Sequence, residues 1–353
     1  MLADGIILKC SIQFNQNRTS SAIYHLITGK KSIQTVQDAH IYQLKNFYGI
    51  NRSLQKRDFD KIINTLISNK LLELDESMSC SVTPNGLEWY KKWQSYLQLT
   101  DFDGLRYHTV SSIYYDRLLL LIQTLSNSSN NHYSFIPVID RQPVLDWVKL
   151  VFKQLKQNME SYFEQLHHEL HELLSSFSNE EASIYVDRFS GYNHYGKSKE
   201  QLASDYKRDK MDISFTIERM NHAMLNKIYL SPHKFPAIEF LIEGLTNKRF
   251  ITDSARKTYQ LLQENYSINE IGRMRNLKEN TVYDHVVEVA LFTHDFPVLN
   301  YLSEDQQQQI LTAVYKENTY KLKAIKQMVD ERISYFQIRL VLATMQRVGE
   351  QNE

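Results

Sequence analysis

The chain has 353 residues, enough for two or three domains, and its 41 Lys and Arg residues balance its 41 Asp and Glu residues. That balance excludes a uniformly basic nucleic-acid coat protein. Ten glycines and six prolines are few for this length, which favours helices over a loop-rich β fold. Cys10 and Cys80 provide neither a disulfide framework nor a zinc spacing. We see no signal peptide, and the longest apolar run is too short to span a bilayer, so we expect a cytoplasmic protein.

The first 95 residues predict a winged-helix domain. Helices are predicted at residues 5–14, 18–29, 34–48 and 54–69, and residues 72–82 alternate as a β-hairpin does before a further helix at 87–93. Four basic residues lie on or near the presumed recognition helix: Lys56, Arg57, Lys61 and Lys70. They are suited to DNA phosphates, and the alternative is a merely solvated helix face.

Residues 96–178 predict a helical connector. After a helix at 110–125 and a polar loop at 126–131, apolar residues recur every three or four positions between Val144 and Leu173. This spacing predicts one long amphipathic helix over residues 144–177 with a coiled-coil-like seam. The seam packs within one chain in the reading we favour, and on a second copy, as a homodimer, in the alternative.

A histidine cluster lies on this predicted long helix. His167, His168 and His171 lack the His-Glu-x-x-His spacing of zinc proteases, so they predict a solvated polar face rather than a metal site.

Residues 179–250 predict a second DNA-binding module. Ser198 and Gln201 have capping-box spacing, and a helix follows at residues 212–225. The segment resembles the promoter-reading helix-turn-helix of sigma factors through Asp187, Arg188, Phe189 and Gly196. Its candidate phosphate contacts are four basic residues: Lys207, Arg208, Lys210 and Arg219. The alternative is that much of the last helix is core.

Residues 251–353 predict a C-terminal helix-turn-helix, with a first helix at residues 254–264. Ser267 and Glu270 form a second capping-box pair, and Gly272 is small enough for the first helix to approach closely. The third helix begins near Lys278 and buries Val282 and Val286. Three of its residues are expected to face outward: Thr281, Asp284 and His285. The candidate DNA contacts here are Lys278, Asn280 and Thr281. Three carboxylates on the same helix oppose phosphates and favour docking of a partner protein instead: Glu279, Asp284 and Glu288.

This last module resembles the helix-turn-helix at the C-termini of bacterial RecQ-type helicases. The matching residues are Ile271, Gly272, Leu277, Thr281, Val282, His285 and Val286. The whole chain, including the sequence GKKSIQTVQDAH at residues 29–40, resembles the YpbB family of Gram-positive helix-turn-helix proteins. Genes of that family tend to lie beside a RecQ-type helicase gene, so the resemblance implies a helicase link and leaves the mechanism open.

We find no Walker loop, helicase motif, nucleotide fingerprint or Ser/His/Asp grouping in the sequence. The sequence therefore predicts a mainly α, non-enzymatic DNA-binding protein that recruits or regulates a RecQ-type helicase, without cofactor, metal or membrane. Two alternatives remain at this point. One is a transcription regulator that dimerises through residues 144–177, and the other is a scaffold that binds only proteins.

Overall fold

A computed structural model describes residues 1–155, 157–245 and 251–345. The described residues form nineteen α-helices and one two-stranded sheet, which confirms the predicted mainly α fold. Internal contacts divide the chain into two compact units, which we describe separately. Unit 1 comprises Met1–Ile7, Gly49–Asp58 and Trp89–Asn247, and unit 2 comprises Leu8–Tyr48, Phe59–Glu88 and Lys248–Glu353.

Three helices contain residues of both units: α1 (Leu2–Phe14), α4 (Lys56–Ser68) and α5 (Pro84–Leu97). The remaining helices of unit 1 are α6 (Gly104–Tyr107), α7 (Ser111–Ser129), α8 (Gln142–Leu155), α9 (Met159–Leu174), α10 (Asn179–Val186), α11 (Lys199–Asp205), α12 (Lys210–Leu230) and α13 (Pro236–Ile242). Helix α12 lies at the centre of this unit, because α7, α10, α11 and α13 all contact it.

The long helix predicted over residues 144–177 is instead two helices, α8 and α9. Gln157 and Asn158 form a turn between them, and Lys156 lies outside the described residues. The break lets both helices pack against α7 and against each other. The apolar seam is buried in the core of unit 1, including Val144, Val148 and Leu170. The seam therefore packs within one chain, which is the reading that we favoured from the sequence.

Helix α7 is longer than predicted. The expected Ser/Asn-rich loop after residue 125 is wrong for its first four residues, because the helix continues to Ser129. Asn127 and Ser128 are buried, and the Asn127 amide donates to the Gln123 carbonyl at 2.8 Å. Such local bonds satisfy polar side chains inside a helix.

Unit 2 contains the hairpin and the remaining helices. Strands β1 (Leu72–Leu74) and β2 (Cys80–Val82) are antiparallel, as predicted. The helices are α2 (Ser20–Thr28), α3 (Ile33–Ile41), α14 (Asp253–Gln263), α15 (Ile268–Arg275), α16 (Glu279–Phe292), α17 (Glu304–Glu317), α18 (Leu322–Met328) and α19 (Tyr335–Thr344). Helix α3 is shorter than predicted, since Gln43 adopts a positive φ of 53° and a 3₁₀ turn follows.

Helix α16 organises unit 2, because α3, α14, α15 and α19 all pack on it. The Gln37 amide of α3 also donates to the Arg339 carbonyl of α19 at 2.8 Å. The N-terminal helices and the C-terminal helix-turn-helix therefore share one core. The three boundaries between the four predicted domains stay predictions, and the one at residue 250 lies outside the described residues.

Two local predictions illustrate what short-range signals specify. The capping boxes at Ser198 and Ser267 are both present, with reciprocal bonds to Gln201 and Glu270. A small residue is needed at Gly272, but for a different reason than the one predicted. A Cβ there would lie 3.1 Å from the Leu277 carbonyl oxygen, so the turn after α15, and not the first helix, approaches this residue.

Candidate nucleic-acid interface

Helix α4 exposes the basic residues predicted for the winged helix. Phe59, Ile63 and Leu66 recur every three or four positions and are buried, which turns the opposite face outward. The exposed residues include Lys56, Arg57 and Lys61. Lys70, also exposed, follows the helix with a φ of 56°. This face has the composition and exposure that phosphate contacts require.

Arg219 is not available to DNA. Its side chain is only 2% exposed, inside unit 1 on α12. The guanidinium donates to Glu181 and Gln98, and it lies 3.1 Å from an Asp101 carboxylate oxygen. These partners come from α10 and from the 3₁₀ turn at residues 98–101, so Arg219 links both segments to α12. The predicted phosphate contact at Arg219 is therefore wrong.

The other basic residues of the predicted middle module lie at the surface. Lys207 is exposed in the turn after α11, with a φ of 50°. Arg208 pairs with Glu180 at 2.7 Å, and Lys210 pairs with Glu200. Both pairs are largely exposed, and a surface pair contributes little and can exchange for a phosphate. DNA contact by these three residues stays a prediction.

Gly196, which carries part of the likeness to sigma factors, has a structural role in unit 1. A Cβ at this position would collide with the backbone carbonyl of Arg188. The backbone of Lys197 also donates to the Asp187 carbonyl at 2.7 Å. The loop before α11 is therefore held close to the end of α10, which only a residue without a side chain permits.

The first turn of α16 presents the C-terminal candidate contacts. Lys278 is the N-cap residue, and Lys278 and Asn280 are exposed, whereas Thr281 is half-buried. A helix N-terminus carries partial positive charge, and Lys278 adds a full one. This turn combines a cation with amide and hydroxyl groups that can donate hydrogen bonds, which suits a phosphate.

The carboxylates of α16 are mostly engaged within unit 2. Asp284 accepts from Arg339 at 2.7 Å. Glu288 accepts from the Thr252 amide at 2.6 Å, and burial raises the pKa of Glu288. Glu279 accepts from the hydroxyl of Tyr283, whose ring stacks on Phe336. Of these three carboxylates only that of Asp284 is paired with a cation, so Glu279 and Glu288 keep a negative charge on this helix.

His285 is buried, so the prediction that it faces outward is wrong. Its Nδ1 lies 2.8 Å from the Thr258 hydroxyl of α14, and Arg275 donates to that same hydroxyl. His285 lies three residues after Val282, next to the buried stripe, and α14 covers it there. Burial, followed by the charge of Arg275, lowers the pKa of His285, whereas Asp284 opposes the shift.

The stability of unit 2 should therefore fall on acidification. A lowered folded-state pKa means that the unfolded chain binds the proton first, so stability is lost as the pH falls below the ordinary histidine value of about 6.5. We expect His285→Gln to reduce this loss between pH 7 and pH 5, measured by amide hydrogen exchange in α16. Parallel pH profiles for the two proteins would contradict this assignment.

The histidines of α9 do not assemble with further ligands. The rings of His167 and His171 are tilted with centroids 6.5 Å apart. Within the described ranges, no three His, Cys, Asp or Glu side chains are grouped as a metal ion requires. Those ranges also contain no helix that combines the length and apolar content needed to cross a membrane.

One basic cluster of unit 2 was missed by the sequence analysis. Arg18, Lys30, Lys321 and Lys323 line a groove whose walls are about 300 residues apart in the chain. No local pattern joins residues at such a separation, so only the folded chain reveals the cluster.

Comparison with known families defines the class of protein. A helix-turn-helix domain family matches residues 254–342, and an RQC domain family matches residues 6–101. Both domains are found at the C-termini of RecQ-type helicases. The chain thus carries two domains of DNA-binding type, one toward each end.

One relative matches nearly the whole chain. It is Protein YpbB of Bacillus subtilis (strain 168), 29% identical over 349 residues, which covers 96% of each protein. The chain is a homologue of YpbB, and the predicted resemblance is confirmed. No solved structure matches it significantly.

Proposed function

We propose that this chain is a non-enzymatic DNA-binding accessory protein that recruits or regulates a RecQ-type helicase in the cytoplasm. One observation carries the proposal. Two domains that are found at the C-termini of RecQ-type helicases occur together in a sequence that contains no motor motif. Such a chain can hold DNA where a motor works but cannot itself convert nucleotide hydrolysis into movement.

Two exposed surfaces support DNA binding. Helix α4 presents Lys56, Arg57 and Lys61 on its outer face, and the first turn of α16 presents Lys278 and Asn280. Neither surface groups side chains in the arrangement of a reactive centre. Charge and hydrogen-bond donors on helix surfaces are what sequence-independent phosphate binding needs.

The acidic side of α16 supports partner docking only in part. Asp284 is paired with Arg339, whereas Glu288 is bonded to the uncharged Thr252 and Glu279 is exposed, so these two carboxylates keep charge that a partner can use. A homodimer through residues 144–177 stays a prediction. Because the seam is buried in unit 1, such a dimer would have to use outer positions such as Leu150, which is 58% exposed.

The test is a salt titration of binding to single-stranded, duplex and forked DNA by fluorescence anisotropy. We expect Lys56→Gln/Arg57→Gln/Lys61→Gln to weaken binding to all three and to reduce the slope of log affinity against log salt by about 2–3. Lys149→Gln/Lys153→Gln/Lys316→Gln is the control, since it removes the same charge from exposed positions on other helices.

Point substitutions test this interface better than removal of residues 251–353. Helix α3 packs on α16 and α19, so that deletion would expose the apolar side of α3 and disturb unit 2. An unchanged salt slope in the α4 variant would contradict DNA contact by α4. Strong preference for one duplex sequence would favour a transcription regulator, and capture of a helicase without any DNA affinity would favour a scaffold.

A further inference from the structure

A basic groove of ≈ 540 Å³ lies within unit 2. One wall is the segment from Arg18 through α2 to the start of α3. The other wall is the start of α18, where Lys321 and Lys323 lie. Neither wall includes a residue of the α4 face or of the first turn of α16, so the groove is separate from both surfaces described above.

The charge of the groove is strongly positive. Four cationic side chains line it, against a single carboxylate, that of Asp38. Asp38 is 5% exposed and accepts two bonds from Arg18, at 2.9 and 2.7 Å, and one from Gln34 at 2.8 Å. Its charge is thus compensated inside the wall. What remains toward solvent is the charge of the three lysines.

Lys30, Lys321 and Lys323 are exposed, and within the described residues none of them forms an ion pair. The carboxylate of Asp75 in the hairpin turn interacts electrostatically with Lys321. The Asp75 carboxylate already accepts from the Ser77 hydroxyl at 2.7 Å and the Ser79 amide at 2.8 Å. The three ammonium groups are therefore available to an anion.

Hydrogen bonds link the two walls of the groove. The Thr319 hydroxyl donates to Asn17 at 2.6 Å, which links the two walls, and it accepts from the Lys321 amide at 3.2 Å. Arg18 also lies over the Tyr42 ring, 5.2 Å from its centroid. Because the walls are already linked, binding of an anion has to order only the lysine side chains, and less entropy is lost than if the backbone also had to be ordered.

The wall formed by α2 and the start of α3 also contributes donors. Thr19 and Ser21 at the start of α2, and Ser32 at the start of α3, carry hydroxyls that line it. Both helix starts add partial positive charge. His25 is the only ring among the lining residues, so the groove offers few surfaces on which a base could stack. Its chemistry suits phosphate groups and not base edges.

We propose that this groove binds the phosphate backbone of a DNA strand without regard to sequence, as a second contact site beside α4 and α16. The inference rests on the proposed DNA-binding function and adds a site to it. A strand held at two places on one protein gains affinity, because the second contact is intramolecular once the first has formed.

The experiment compares wild-type protein with Lys30→Gln/Lys321→Gln/Lys323→Gln. The probes are a fluorescein-labelled 30-mer of deoxythymidine and a 30-base-pair duplex. For the probe that uses the groove, we expect the variant to bind at least roughly tenfold more weakly than the wild type at about 0.1 M salt. We also expect its slope of log affinity against log salt to be smaller by about 2–3. The control is Lys149→Gln/Lys153→Gln/Lys316→Gln, which should bind as the wild type does.

The outcomes separate this inference from the proposed function. If the wild type binds DNA and the groove variant binds equally well, the groove inference is overturned, whereas the proposed function stands. If the wild type binds neither probe, both are overturned. A second measurement uses unaltered protein: bound DNA should protect Lys30, Lys321 and Lys323 from amine-reactive labelling, and undiminished labelling would overturn the groove site.

Discussion

Replacing Arg219 with methionine should lower the free energy of unfolding of unit 1 by about 2–4 kcal/mol, because it leaves two partly buried carboxylates without their cation. Glu181 is 15% exposed and Asp101 is 34% exposed, and both face the 2% exposed Arg219. All three tryptophans of the chain, Trp89, Trp93 and Trp147, lie in unit 1. Their fluorescence during urea unfolding therefore measures the stability of this unit.

Arg208→Met is the matched control. Arg208 pairs with Glu180, the neighbour of Glu181, but both partners are at least 36% exposed. An exposed pair of this kind contributes roughly 0–1 kcal/mol. Similar unfolding midpoints for the two variants would contradict a structural role for Arg219. Loss of DNA affinity in Arg219→Met without loss of stability would restore the phosphate contact that the structure argues against.

Replacing Val148 with glutamate should destabilise unit 1 by about 4–5 kcal/mol, since it places an unpaired carboxylate in the apolar core. Val148 is 3% exposed and belongs to the cluster formed by α7, α8, α9 and α12. We expect the variant to unfold at a lower urea concentration, measured by tryptophan fluorescence.

Leu150→Glu separates the intramolecular seam from a dimer interface. Leu150 is on the same helix but 58% exposed, so the added charge should change stability by less than about 0.5 kcal/mol. Should Val148→Glu alter only the oligomeric state in sedimentation, and leave the unfolding curve in place, the seam would have to be intermolecular. Dissociation of a dimer by Leu150→Glu would instead identify the outer side of α8 as an interface.

Features that depend on neighbours in sequence were predicted well. The capping boxes at Ser198 and Ser267 need only a partner three residues later, and the hairpin needs only alternating strands around a short turn. The buried stripe of α4 follows in the same way from its spacing. These signals depend only on residues that are close in sequence, so they do not require knowledge of how distant parts of the chain pack.

Features that depend on distant residues were not predictable. Arg219 is buried because Gln98, Asp101 and Glu181 meet it there, and nothing on its own helix indicates this. His285 is buried because α14 covers it. The break between α8 and α9 could not be predicted, because the apolar spacing continues across it. Only the packing of both helices against α7 and against each other shows that the chain changes direction there. The groove cations come together only in the folded unit.

The most direct test of the central claim is a combined binding measurement on the whole protein. A RecQ-type helicase is immobilised, and capture of the chain is measured with and without forked DNA, alongside anisotropy of the same DNA at several salt concentrations. We expect salt-dependent DNA binding together with capture of the chain by the helicase. If the chain neither binds the DNA nor is captured by the helicase, the account is contradicted.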